Sequence, residues 1–155
     1  MGAITPCLWF DGQAEQAAEL YTSVVRNSRI VSVSRAGEGP GAPAVTVSFD
    51  LDGQPFVALN GGPQVTFTEA VSFQIACGDQ AEVDYYWSAL TADGGSESRC
   101  GWLKDRFGLS WQVIPTALPR LIGGDDGEGA QRAITAMLTM RKLDIASLEA
   151  AYRGE

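Results

Sequence analysis

With 155 residues the chain has room for one domain, or for two small modules sharing a core. Its 45% hydrophobic and 19% charged content is ordinary for a folded protein and too apolar for disorder. Nineteen acidic residues against eleven scattered basic ones give a formal charge of −8, which argues against nucleic acid as a partner, because that affinity rests on clustered Lys and Arg. The sequence contains no histidine, so a Ser-His-Asp triad, an imidazole relay and imidazole metal ligation are excluded.

No apolar run approaches the roughly 18 residues needed to cross a bilayer, and no basic-then-apolar leader opens the sequence. Neither membrane insertion nor export is therefore expected. Three cysteines, Cys7, Cys77 and Cys100, are odd in number and none sits at C-x-x-C spacing. They predict reduced thiols in a cytoplasmic protein.

Ile4 to Phe10 reads as a strand, and residues 13–25 carry Ala14, Ala17, Ala18, Tyr21, Val24 and Val25 at helical spacing. Asp11 or Gly12 is its expected N-cap. Arg29 to Arg35 alternates as a half-buried strand does, and the Gly- and Pro-rich residues 37–43 predict a mobile loop. Val45 to Leu51 alternates again, Asp52-Gly53 predicts a hairpin turn, and Phe56 to Leu59 follows as a strand ended by Asn60-Gly61-Gly62-Pro63.

The same order then recurs. Val71 to Cys77 predicts a strand, and Asp79-Gln80-Ala81-Glu82 a capping box with Asp in the Ser/Thr position. A helix follows with Val83, Tyr86, Trp87 and Leu90 on one face, terminated by Asp93-Gly94-Gly95. Three short strands are expected over Glu97 to Gly101, Trp102 to Arg106 and Leu109 to Ile114. One helical turn over 116–122, a flexible acidic link over 123–129, an amphipathic helix over 130–142 and a last helix capped by Asp144 complete the chain. The fold class is therefore α+β: two βαβββ modules forming a curved mixed sheet around a cavity, plus C-terminal helices. The whole of 1–155 is expected to be one domain, with module one at 3–62, module two at 70–115 and helices over 116–153. Gln-Ala-Glu recurs at Gln13-Ala14-Glu15 and Gln80-Ala81-Glu82, an odd offset that places Thr5 and Cys7 on the strand face of Ser72 and Gln74.

A sheet covered by helices on one side leaves the other face free for a ligand. Strand parity puts Cys7 and Trp9, Ser72 and Gln74, and Ser110 and Gln112 on that face, with Asn60 at the end of its strand. A pocket of Trp9, Asn60, Gln74, Trp102 and Gln112 would be apolar with a few convergent amides, as small-molecule sites are. Plainer readings stay open: the glutamines as solvent-facing strand residues, the tryptophans as core, the cysteines as small buried hydrophobes. Glu69 could serve as a base in an apolar mouth, or be a solvated loop acid. The Gly37-Glu38-Gly39-Pro40-Gly41 run is no nucleotide loop, since a strand rather than a helix follows it.

In Leu8-Trp9-Phe10-Asp11-Gly12, Ala58-Leu59-Asn60-Gly61-Gly62-Pro63, Ser72-Phe73-Gln74 and Asp84-Tyr85-Tyr86-Trp87 the chain resembles a known family. The stretches Cys100 to Asp105, Phe107 to Pro115, Ala136 to Met140 and Leu143 to Ile145 extend the likeness across residues 4–150. The family is the PhnB-like, 3-demethylubiquinone-9 3-methyltransferase-like group of the vicinal-oxygen-chelate (glyoxalase/bleomycin-resistance) superfamily. The resemblance implies paired βαβββ modules around a cavity, usually in a homodimer. It also implies a metal site, often of His and Glu, but Cys7, Asn60, Gln74 and Gln112 are a poor donor set, so no metal and no cofactor are expected.

Three readings follow. The leading one is a cytoplasmic, metal-free protein that binds a small molecule through Trp9, Asn60, Gln74, Trp102 and Gln112, the rings stacking on a planar ligand and the amides orienting it. The second is an enzyme, with Glu69 or Cys100 as acid/base or nucleophile and Lys104 stabilising negative charge. The third is a dimeric interaction module with no ligand.

Overall fold

The computed structural model describes residues 2–155, and the chain divides into two compact units, one ending at Phe67 and the other spanning Thr68–Glu155. In the first unit β1 (Cys7–Phe10) leads into α1 (Ala14–Val24), followed by β2 (Arg29–Arg35), β3 (Ala44–Leu51) and β4 (Gln54–Asn60). The sheet order is β1-β4-β3-β2, with β1 parallel to β4 and the remaining pairs antiparallel. The second unit repeats the plan with β5 (Phe73–Cys77), α2 (Gln80–Thr91), β6 (Ser96–Glu97), β7 (Trp102–Lys104) and β8 (Ser110–Pro115) in the order β5-β8-β7-β6. Here β5 is parallel to β8. Helices α3 (Leu118–Gly123), α4 (Gly127–Met137) and α5 (Ile145–Arg153) complete the second unit.

Helices α1 and α2 each lie on one face of their own sheet. In α1 the fully buried Ala14, Ala17 and Ala18 let the helix approach closely, and Tyr21 fills the space beyond them. The Tyr21 ring centroid is 6.3 Å from that of Phe49, which stacks on Phe56 at 5.4 Å. In the second unit Val83, Tyr86, Trp87 and Leu90 of α2 are buried, as are Cys77, Leu103, Trp111 and Val113 of its sheet. The C-terminal helices have a cluster of their own, in which Leu118, Leu121, Ala133, Leu143 and Leu148 are buried. Arg132 caps α5, donating from Nε to Ala151 O at 2.9 Å and from an Nη to Tyr152 O at 2.6 Å.

Several boundaries differ from the sequence-based expectation, each for a local reason. The first strand begins at Cys7 rather than Ile4, because Pro6 has no N–H to donate, although its carbonyl still accepts from Val57 N at 2.9 Å. The N-cap of α1 is Gln13, not Asp11 or Gly12, and it makes no side-chain cap bond. The capping box on α2 forms as expected in its cap bond, Asp79 accepting from Glu82 N, but the return bond lands one residue earlier, with Glu82 accepting from Gly78 N instead of Asp79 N. The acidic link over 123–129 is partly helix, since Asp126 caps α4 by accepting from Gly129 N at 3.0 Å. Gly129 is required there, because a Cβ would stand 2.6 Å from Asp126 Oδ2 and 2.9 Å from Tyr152 O. That helix ends at Met137 instead of 142.

The strand expected over Trp102 to Arg106 stops at Lys104 because Asp105 closes a turn. This carboxylate is buried and accepts from Phe107 N at 2.8 Å, Leu109 N at 3.1 Å and Trp111 Nε1 at 2.9 Å. It joins β7 to β8 in register and ties the turn to the core at Trp111. Asp105→Ala leaves three donors without an acceptor and is expected to lower stability by about 3 kcal/mol or more, at roughly 1–3 kcal/mol per buried group. Asp105→Asn keeps one acceptor oxygen and should lose less. Urea denaturation of both variants checks the order.

Candidate functional site

Strand register defines the helix-free face of each sheet. In the second unit Gln74 pairs with Gln112, and Gln112 pairs with Trp102 on its other side. Paired residues point to one face, so three strands set Gln74, Gln112 and Trp102 side by side in one row. Gln74 Nε2 donates to Gln112 Oε1 at 3.2 Å, and Gln112 Nε2 donates to Ser72 Oγ at 2.8 Å. The outer groups stay open: among the described residues neither Gln74 Oε1 nor Trp102 Nε1 has a hydrogen-bond partner. Two strand spacings, roughly 10 Å, separate the backbones carrying that acceptor and that donor.

Lys104 lies two residues along β7 from Trp102, on the same face. It pairs with Glu69 at 2.5 Å, and both side chains are substantially exposed. The hydrogen bond from Lys104, backed by one that the carboxyl accepts from Glu69's own backbone N–H and by the ammonium charge, holds the Glu69 carboxyl below its ordinary value. A general base near neutral pH needs the opposite shift. Glu69 is thus a solvated acid whose partner is Lys104, and Lys104 reaches the face with its charge compensated. Cys100 is half-buried with a left-handed backbone, φ 58°, and among the described residues no side chain bonds its Sγ.

The corresponding row of the first sheet is Cys7, Val57, Ser48 and Ser32. Trp9 is one rung further along, opposite Leu59. Its indole donates to Gly62 O at 2.9 Å and lies over Gly61, where a Cβ would stand 2.2 Å from the ring. That approach explains Gly61, and the left-handed backbone of Gly62, φ 96°, explains the glycine after it.

Asn60 faces the other way. It pairs with Phe10 in the face that α1 covers, and both ends of its amide are engaged. Oδ1 accepts from Ala14 N at 2.9 Å, and Nδ2 donates to Ala44 O at 3.0 Å. It does for α1 what Asp11 or Gly12 was expected to do. The parity that signals this is in the sequence: Phe56, Ala58 and Asn60 alternate with Val57 and Leu59. Asn60 borders a different feature, a cavity of about 650 Å³ on the α1 side walled also by Asp11, Glu15, Arg35, Ala42 and Gly62. Arg35 closes one wall, donating to both oxygens of Glu15 at 2.6 and 3.3 Å and to Ala42 O at 3.1 Å.

Two βαβββ units, each with a parallel first and last strand, define the glyoxalase-like fold of the vicinal-oxygen-chelate superfamily. A family model described as 3-demethylubiquinone-9 3-methyltransferase matches residues 2–114, and the chain belongs to that family, the PhnB-like group of the superfamily. Among solved structures it is similar to the PhnB protein from Bacillus cereus, at 34% identity and TM-score 0.67, over 74% of this chain and 100% of that one. PA1353 from Pseudomonas aeruginosa shares the fold at 20% identity and TM-score 0.62, over 74% of this chain and 98% of that one. The fosfomycin resistance protein FosX from Listeria monocytogenes also shares it, at 14% identity and TM-score 0.52, over 74% and 93% of the two chains. No curated protein matches the chain.

The donor set does not fit the metal that the superfamily name implies. On the helix-free faces Gln74, Gln112 and Ser72 are neutral and bonded to one another, and among the described residues no three His, Cys, Asp or Glu side chains converge. Neutral amides hold a divalent cation poorly without a carboxylate.

The Glu69–Lys104 pair has a testable pH signature. With its folded value lowered, Glu69 contributes to stability above its ordinary titration range, and that contribution is lost as pH falls through the folded value. Lys104→Met should move the Glu69 carboxyl upward in an NMR pH titration; an unmoved titration would mean that the pair does not form in solution.

Proposed function

We propose that this protein binds a small, uncharged, planar molecule on the helix-free face of the second sheet, without a metal. The observation that carries the reading is the row Gln74–Gln112–Trp102, in which a self-bonded amide pair stands beside an indole. Amides present donors and acceptors without charge, and an indole offers a flat apolar surface with an N–H at its edge. Lys104, the cation beside the row, is compensated by Glu69, so nothing in the row favours an anionic ligand. Trp9 stands on the helix-free face of the first sheet, and on this reading the protein is a cytoplasmic homodimer. Asn60 enters this reading as a support for α1 and not as a ligand contact.

The enzyme alternative finds less support. Its proposed base, Glu69, is exposed with a lowered carboxyl pKa. Residues 36–43 join β2 to β3 and do not open a helix, so that Gly-rich segment is not a methyl-donor nucleotide site of the usual kind.

Native mass spectrometry with metal analysis on freshly purified protein tests the proposal. The expected result is a dimer carrying a stoichiometric organic molecule and no divalent metal. A tightly held metal would overturn it. In Gln74→Leu/Gln112→Leu the same molecule should be lost while the circular dichroism and urea midpoint stay close to wild type; undiminished retention would remove these glutamines from the site.

A further inference from the structure

We infer that the C-terminal segment positions the Trp102 end of this face, and that Gln80 is the residue that holds the segment in place. The inference rests on reading the row as a ligand surface only for its functional meaning; the coupling itself stands on backbone geometry.

Trp102 follows two consecutive residues with left-handed backbones, Cys100 at φ 58° and Gly101 at φ 85°. Glycine adopts that conformation freely, whereas cysteine is disfavoured in it, so something must hold the turn. The hydrogen bonds show what does. Cys100 N donates to Met140 O at 2.9 Å, and Gly101 N donates to Arg141 O at 2.8 Å. On its other side Gly101 accepts from Val113 N at 2.8 Å, so this one residue links the C-terminal segment to β8. No side chain fits between them: a Cβ on Gly101 would lie 2.9 Å from Val113 O and 3.1 Å from Leu143 Cδ1.

Residues 140–144, just before α5, form no helix or strand of their own, and their placement comes from side-chain anchors. Gln80, at the start of α2, grips the chain at two points, donating from Nε2 to Leu143 O at 3.1 Å and accepting at Oε1 from Ile145 N at 2.9 Å. Its Nε2 is also 3.0 Å from Asp84 Oδ1, which pairs with Lys142 at 2.8 Å. Leu143 between these anchors is fully buried in the α3–α5 cluster. The path therefore runs from Gln80 to residues 143–145, to the Met140 and Arg141 carbonyls, to Cys100 and Gly101, and to Trp102 beside Gln112. Release of the segment would strip two N–H groups of their acceptors and remove what holds Cys100 left-handed. Gln80 is a positioning residue, and its side-chain hydrogen bonds go to Asp84, Leu143 and Ile145 instead of to the row.

The test is hydrogen exchange on the full-length protein, wild type against Gln80→Leu, with 5-fluorotryptophan labelling for ¹⁹F NMR. In the variant, amides of 140–145 and of 100–102 should exchange roughly tenfold faster together, as one local opening unit does. Protection in β5, in β8 apart from Val113 (whose N–H donates to Gly101 O) and in the first unit should be unchanged. The Trp102 resonance, assigned with Trp102→Phe, should shift or broaden while that of Trp9 stays put. If 140–145 opens while 100–102 stays protected, the coupling is wrong; if 140–145 does not loosen, Gln80 is not the anchor. Lys142→Ala, at an exposed position, should loosen the same two segments together and keeps the test available if Gln80→Leu does not fold. Neither readout uses a ligand, so a chain that bound nothing could still pass, and a failed binding experiment would leave this result intact.

Discussion

The parallel pairing of the first and last strand in each unit is the constraint on which the rest depends. Parallel neighbours cannot be joined by a tight turn, so the chain must cross over between them. Here the crossover begins with one helix and ends with three strands in antiparallel sequence, which leaves the helix on one face of the sheet and the other face bare. Without the β5–β8 pairing Gln74 and Gln112 would not be neighbours, because thirty-seven residues separate them along the chain. The β1–β4 ladder is short and is reinforced outside the strands. Gly61 N continues it to Phe10 O, Trp9 clamps over Gly61, and Asn60 ties the end of β4 to the start of α1.

Much of this could be read from the sequence because it is written at short range. Alternation in Val45 to Leu51 and the helical spacing of Ala14, Ala17, Ala18 and Tyr21 correspond to faces that are buried in the structure. The parity of Ser72, Gln74 and Gln112 correctly put three residues on one face. What the sequence hid was decided by partners far along the chain. Asn60 reads as a polar residue at a strand end, and its bond to Ala14 spans forty-six positions. Gln80 reads as an interior position of a capping box, while its amide serves residues 143 and 145. Asp105 shortened a strand because a buried carboxylate gathers donors from both sides of a turn, which an alternation pattern cannot show. The Gly-rich start of α4 looked like a linker, yet its glycine answers a close contact with Asp126 and Tyr152.

The two sheets share a plan and differ in what they present. The row of the first carries a thiol, a valine and two serines; that of the second carries two amides and an indole. Duplicated architecture thus carries diverged rows: the first presents mainly apolar and small polar groups, and the second presents directional amides and an indole N–H. The C-terminal segment acts on that same second sheet. Its carbonyls hold the turn before β7, so the part of the face with directional groups is also the part with an external brace.

The self-bonded amide pair also bears on selectivity. A site whose buried polar groups are unsatisfied until the right ligand arrives discriminates strongly, because a wrong ligand leaves them unpaired. In this row Gln74 already donates to Gln112 at 3.2 Å and Gln112 donates to Ser72, while Gln74 Oε1, the group left open, stands at an exposed position. A ligand without matching groups leaves those bonds in place and loses little. A matching ligand exchanges one such bond for another and so gains little from it, since even a bond formed without giving one up is worth only about 1 kcal/mol net. Most of the affinity on this reading must come from contact with the indole faces and the apolar strand residues, with the amides setting orientation. On the proposed reading, such a surface suits a range of related planar molecules better than a single substrate.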